Sequence, residues 1–290
     1  MMSELMRMFL PVSRYFSEPC ICEIMVNGDE SVHLSHVNKG LINTGERMNT
    51  EDIRAVIKWV AGKNGMDCNE QSPLLECTLS NNYRLTAMLP PVSKPCFTIR
   101  IPLIEHADFK DFLSKGSKYS IKMLKKIIYD KCTILIAGST ASGKTAFANA
   151  CLNEIKHERI VKIEDRPELI QTQNCVSLIE RKDQGISMAD LLKLSLSLRP
   201  DRIIVGEIRD SNAAWQFLNA IRKGHKGSFS TIHAGSCDEA LDNLFMMVQE
   251  QINNAMVSKI AQWITKLIDV VVWLDNRKII EIKTISGGVI

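Results

Sequence analysis

The chain has 290 residues, enough to bury a large core and to form two ordinary domains. Lysine and arginine number 36 against 33 aspartate and glutamate, and this near balance at +3 gives no electrostatic footprint for a nucleic-acid partner. The nine cysteines are odd in number, scattered and without CxxC pairs, which argues against zinc or redox sites and for reduced thiols in a cytosolic compartment.

The amino-terminal stretch MMSELMRMFLPV holds Glu4 and Arg7 among its apolar residues, unlike a signal peptide. Residues 20–26 and 31–36 read as strands joined around Asn27-Gly28, a dipeptide suited to the positive φ of a tight hairpin turn. Thr50 is expected to cap a helix whose apolar face carries Ile53, Val56, Ile57 and Val60, ended by Gly62 and Gly65. Further strands are expected at 75–79, 83–89 and 96–101, interrupted by Pro90-Pro91 and Pro95. Residues 1–101 thus predict a small α+β domain, and 102–118, with Pro102, Gly116 and mixed charges, a linker.

From Tyr119 the pattern changes to helices alternating with short β-branched strands. Strands are expected at 132–137, 159–164, 202–207 and 228–232, with helices at 144–156, 187–198, 212–223 and 236–249. This alternation predicts an α/β domain over 119–290, with a mostly parallel sheet covered on both faces. The longest candidate for a membrane span, Ile260 to Leu274, contains Gln262, Lys266 and Asp269, whereas a span takes roughly 18 uninterrupted apolar residues. A soluble protein is expected, one that can still dock on a membrane.

Four stretches carry chemistry. The segment Gly138, Ser139, Thr140, Ala141, Ser142, Gly143, Lys144, Thr145 fits G-x-x-x-x-G-K-[S/T] and lies between an expected strand and an expected helix that begins with Ala146. In such a loop backbone N–H groups surround the β-phosphate of ATP, Lys144 reaches the β and γ oxygens, and the Thr145 hydroxyl faces Mg2+. A phosphate cradle does not hydrolyse by itself, so an acid must orient water. In RPDRIIVGEIRD the strand Ile203 to Val205 runs into Gly206-Glu207, which places Glu207 at a carboxyl strand end as the expected base; the plainer alternative is a solvated glutamate paired with Arg209. In IVKIEDRPEL the strand ends in Glu164, expected to hold Mg2+ through water or to share the base role, with Asp165 and Glu168 ranked lower as capping residues. Thr145, Glu164 and Glu207 form the expected Mg2+ set. In GHKGSFSTIHAGS two histidines bracket a strand, and His233, with His225 as its counterpart, is expected to contact the γ-phosphate or the neighbouring acid.

These motifs in this order resemble the secretion (traffic) ATPase superfamily: its P-loop, its acidic box, its second nucleotide motif with Gly-Glu, and its histidine box. RPDRI and HAGS resemble the branch that serves type IV secretion and conjugation. The segments NNYRLTAMLPP and FTIRIP are similar to those by which the family presents arginines to nucleotide, which implies that Arg84 and Arg100 stabilise charge there; Asn82 stands where the family often has Gly. The resemblance implies a RecA-like carboxy-terminal domain, Mg2+-dependent ATP hydrolysis and a homohexameric ring. It also implies a cytoplasmic location at the bacterial inner membrane, secretion-channel proteins as partners, and a secreted protein or nucleoprotein as cargo without direct nucleic-acid binding. Pilus or type II secretion motors, and less favourably a nucleic-acid translocase, are the alternatives.

Overall fold

The structure is a computed structural model that describes residues 9–18, 20–37, 39–79, 83–101, 107–251 and 257–285. The chain divides into two compact units, Met1–Leu103 and Ile104–Ile290. Asn82 and residues 102–106 of the expected linker lie outside the described residues.

The first unit is a six-stranded antiparallel sheet of order β3-β2-β1-β6-β5-β4 with one helix. Its elements are β1 (Ile21–Val26), β2 (Ser31–His36), β3 (Gly40–Arg47), α1 (Thr50–Lys63), β4 (Leu74–Thr78), β5 (Arg84–Met88) and β6 (Cys96–Arg100). Strand alternation sends Ile24, Val26, Val32, Leu34, Leu85, Phe97 and Ile99 to one core, where they meet Ile53, Val56, Ile57 and Val60 of α1. Two local expectations are corrected. The cap of α1 is Asn49, whose Oδ1 accepts from Asp52 N at 2.8 Å, while the Thr50 hydroxyl donates to Glu30 Oε1 at 2.9 Å. In the β1–β2 turn the positive φ, 72°, falls on Glu30. Gly28 is there for space: a Cβ would lie 2.8 Å from Lys94 Cβ. Strand β3 escaped the sequence reading because it is an edge strand with no buried residue and two glycines, so it lacks an apolar alternation.

The second unit holds α2 (Ile121–Tyr129), β7 (Ile134–Gly138), α3 (Lys144–Glu154), β8 (Ile160–Glu164), β9 (Cys175–Ile179), α4 (Met188–Ser195), β10 (Arg202–Val205), α5 (Ser211–Arg222), β11 (Phe229–His233), α6 (Cys237–Gln249), α7 (Val257–Leu267), β12 (Val270–Asp275) and β13 (Lys278–Thr284). The sheet order is β13-β12-β7-β11-β10-β8-β9. Strands β12 through β9 are parallel, and β13 closes the edge antiparallel. Alternate residues feed two cores, one on each face. Leu135, Ala137, Val161, Ile163, Ile203 and Val205 pack with α4, α5, α6 and α7. Ile134, Ile136, Ile160 and Ile204 pack with α2 and α3 on the other face. Both-sided burial is why these strands read as continuous apolar runs. Ala107, Phe109 and Phe112, from the stretch expected as linker, are buried in this second core.

The apolar run Ile260 to Leu274 is split between the end of α7 and the start of β12, where Val270, Val271 and Val272 favour extended backbone. Among the described residues no helix is long and apolar enough to cross a membrane. All nine cysteines are free thiols.

Candidate active site

The carboxyl ends of β7, β11, β10 and β8 lie side by side in that order, so the sheet brings Lys144, His233, Glu207 and Glu164 to one edge. His233 pairs in register with Gly138, directly beside the P-loop. His225 precedes β11 at the opposite edge, where its Nδ1 lies 3.2 Å from Pro200 O. The pairing of the two histidines at one site is therefore corrected, and only His233 belongs to it.

The P-loop is shaped by glycine where nothing else fits. A Cβ on Gly138 would sit 2.2 Å from Ser142 Oγ and 2.7 Å from Leu274 O. Gly143 takes φ 95° just before α3, and Ala141 also takes a positive φ, 61°. The turn between β12 and β13 forms a wall of the loop. Arg277 N donates to Ser142 O at 3.0 Å, and a Cβ on Gly143 would meet Arg277 Cγ at 3.1 Å. The first N–H groups of α3, on Lys144, Thr145 and Ala146, have no partner within the helix, so the loop presents donors and the positive helix end together. Lys144 is buried and its Nζ donates to Gly138 O at 2.9 Å and Ser139 O at 2.7 Å. Burial lowers its pKa from the ordinary lysine value. Ser142 Oγ is buried without a hydrogen-bond partner among the described residues. A cradle of this kind fits the phosphates of ATP.

The acidic box lies at the end of β8 and in the loop after it. Glu164 is 1% exposed, and its Oε1 accepts from the backbone of Glu168 at 2.8 Å and Leu169 at 2.7 Å. Its Oε2 lies 3.3 Å from Nζ of Lys162, itself buried and donating to Leu169 O. Asn149 of α3 completes the network, donating to Glu168 O and accepting from Ile170 N at 2.9 Å. Burial raises the Glu164 pKa above the usual carboxylate range, opposed by Lys162 and the two backbone N–H groups. Glu164 Oε1 thus organises the 165–170 loop, while Oε2, beside Lys162, is buried without a hydrogen-bond partner among the described residues. The carboxylate this loop delivers to the P-loop is that of Glu168, whose Oε2 accepts from Thr145 Oγ1 at 3.4 Å. Among the described residues no group of three or more His, Cys, Asp and Glu stands ready for a metal. The Thr145 hydroxyl and the Glu168 carboxylate are the adjacent oxygen donors that would hold Mg2+ together with substrate phosphate, as a hard cation with few protein ligands requires. Mg2+ there would neutralise charge on the phosphates.

Glu207 follows β10 in a loop pinned from three sides. Gly206 N donates to Ile163 O at 2.8 Å, Thr231 Oγ1 to Gly206 O at 2.7 Å, and Ile208 N to Thr231 O at 3.0 Å. A Cβ on Gly206 would lie 3.3 Å from Glu164 Cγ, which explains why glycine precedes this acid. The Glu207 side chain is 12% exposed. Its Oε2 accepts from Arg209 Nε at 2.6 Å, and Arg209 Nη1 reaches across to Asp165 Oδ2 at 2.7 Å. Its Oε1 is 2.9 Å from His233 Nε2 but off the axis of a hydrogen bond. The carbonyl of His233 is held by Asn243 Nδ2 at 2.9 Å. The pairing with Arg209 is present, yet Glu207 is not the solvated residue which that alternative supposed.

The stretch that holds the P-loop, the box acids, the Gly-Glu acid and the histidine falls within a match to a known family. The model of the type II/IV secretion system protein family covers residues 75–275. The chain belongs to that family. It is an ATPase of the family, with an α/β architecture shared by its solved relatives. A probable conjugal transfer protein TrbB of Sinorhizobium fredii is 31% identical over 283 residues, covering 92% of this chain and 85% of that protein. The type IV secretion system protein VirB11 of Bartonella quintana is 28% identical, covering 83% and 80%. The Legionella pneumophila ATPase DotB superimposes with a TM-score of 0.70 at 16% identity, over 98% of this chain and 81% of that one, a likeness of fold.

In the first unit, Arg84 and Arg100 are cross-strand partners in register on β5 and β6. Arg84 is ion-paired with Glu76, and Arg100 Nε lies 3.8 Å from Glu23 Oε1. Sequence reasoning ranked Glu168 low and gave no role to Lys162 or Asn149. A lysine inside the otherwise apolar strand Ile160–Glu164 is the signal that could have revealed the buried network.

Proposed function

We propose that this ATPase is the hexameric motor of a type IV secretion system, stationed at the cytoplasmic face of the bacterial inner membrane against channel proteins, where ATP hydrolysis drives export or apparatus assembly. The observation that carries this reading is the convergence of Lys144, Thr145 and Glu168 with Glu207 and His233 on one sheet edge. A cradle, a cation site and a carboxylate that can orient water are the parts phosphoryl transfer to water requires. The conjugal transfer and type IV secretion names of the sequence relatives support the pathway. The near-neutral net charge favours a motor acting on protein over one tracking nucleic acid.

Glu207 is the base, and Thr145 and Glu168 would hold Mg2+. Arg84 and Arg100 act on the phosphates in the assembled ring. Their present partners are half-exposed carboxylates, and such surface pairs contribute little, so the guanidinium groups exchange them for phosphate readily. The test is Mg2+-dependent phosphate release by the full chain, measured beside its mass by light scattering with and without ATP. A ring of six subunits that hydrolyses ATP, without stimulation by DNA or RNA, is expected. Release no faster than in Lys144→Ala, or turnover that rises severalfold with nucleic acid, overturns the proposal.

A further inference from the structure

Of the two carboxylate oxygens of Glu207, Oε2 is held by Arg209, while Oε1 lies 2.9 Å from His233 Nε2 without a hydrogen bond to it. The Arg209 cation sits on the carboxylate that a general base offers to water, so this arrangement is a restrained one. Its restraint is a half-exposed cation. The Arg209 side chain is 54% exposed, and its fork is shared between two acids from different loops, Glu207 after β10 and Asp165 after β8. We propose that Arg209 is a same-subunit sensor of the terminal phosphate of ATP, which leaves Glu207 and Asp165 for that phosphate and so frees the base only when the triphosphate is in place.

Several features of the site support this. The guanidinium fork matches phosphate as well as carboxylate, and a terminal phosphate carries more negative charge than either acid. Lys144, which marks the phosphate position, responds to the opposite charges of both Glu207 and Arg209, which places the two within electrostatic reach of the cradle. Glu207 stays where its loop holds it, since its backbone neighbours are pinned by Ile163 and Thr231. Only the arginine has to move. ADP offers no terminal phosphate, so after hydrolysis and phosphate loss Arg209 returns to the two acids. The inference rests on the ATPase reading and adds to it a coupling between nucleotide state and the base.

The test is equilibrium binding by calorimetry, with Mg2+, of the β,γ-imido analogue of ATP and of ADP to the full chain, which needs no turnover. Arg209→Gln should weaken the imido analogue about 10- to 100-fold, the range of one charged hydrogen-bonded contact, and leave ADP within about twofold. Arg209→Lys should fall between. Asp165→Asn removes a resting partner without touching phosphate and should tighten the imido analogue severalfold while ADP stays unchanged. A wild-type affinity ratio in both Arg209 variants overturns the inference, as does an equal loss for both nucleotides, the mark of a loosened loop. Weaker analogue binding in Asp165→Asn also overturns it, because Arg209 would then work by bridging the two acids. Failure of the ATPase reading is separate: the unmodified chain would neither bind the analogue nor release phosphate.

Discussion

The ends of β8 and β10 are neighbouring strand ends in one sheet, and each carries a glutamate facing the same edge. At β8 the carboxylate is buried, with Lys162 beside it and one oxygen taken by two backbone N–H groups. At β10 the carboxylate stands in a loop fixed only through its backbone, with its oxygens against Arg209 and His233. The first arrangement gives rigidity: it sets the loop that carries Glu168 to Thr145. The second suits the base role proposed for Glu207, because a carboxylate whose partners can leave is available to a substrate. Residue type is the same, but Glu164 is the last residue of β8 whereas Glu207 lies two residues past Val205 in the loop after β10, and burial and the identity of the partners then separate the two further.

The largest expected effect removes the cradle on which both acids depend. Lys144→Ala should abolish ATP turnover in a phosphate-release assay, since on the proposed reading the buried ammonium that binds the loop carbonyls is also the group that meets the phosphates. Residual turnover within tenfold of the unmodified chain would remove Lys144 from that role.

The next effect separates the two glutamates directly. Glu207→Gln should lower turnover by about a hundredfold or more, the range for a general base, while nucleotide stays bound. Glu164→Gln keeps an oxygen for the Glu168 and Leu169 N–H groups, so it should retain turnover within about tenfold. Equal losses in the two variants would mean that the β8 acid also takes part in the chemistry.

The fold of the second unit was legible because its strands are buried on both faces and its P-loop sits between strand and helix, so local pattern and global topology agree. The elements after Gln249 were harder to read, since α7 and β12 join into one apolar run whose break depends on packing. At the site, strand position correctly brought Glu207 and His233 to the P-loop edge. It could not rank Glu164 against Glu168, because that ranking depends on which side chain turns inward to Lys162 and which reaches Thr145. Arg209 was visible as a neighbour of Glu207, but its second grip on Asp165 joins residues 44 positions apart and exists only in the folded sheet.

A smaller effect probes the support beneath β8. Lys162→Met leaves Glu164 buried without its cation, and breaking such a pair from one side costs about 3 kcal/mol. For a unit of this size that lowers the melting temperature by about 6 to 12 °C. The same change at Arg209, on the half-exposed side of the site, should leave the melting temperature nearly unaltered. Calorimetric scans of Lys162→Met and Arg209→Met check both, and equal shifts would erase the distinction between a rigid and an exchangeable acid.

The smallest effect is the pH dependence of stability that belongs to Glu164. Burial raises its folded-state pKa above the unfolded value, so between the two the folded chain holds a proton that the unfolded chain has released. Stability from this group is complete below the unfolded pKa and is lost as pH rises through the folded one. Glu164→Gln cannot titrate, so the difference in melting temperature between the unmodified chain and this variant should drift against the unmodified chain as pH rises above the usual carboxylate range. Lys162 opposes the shift, so Lys162→Met should carry the drift to higher pH. A flat difference, or a drift of the opposite sign, would mean that the ammonium outweighs burial and that Glu164 is charged in the folded protein.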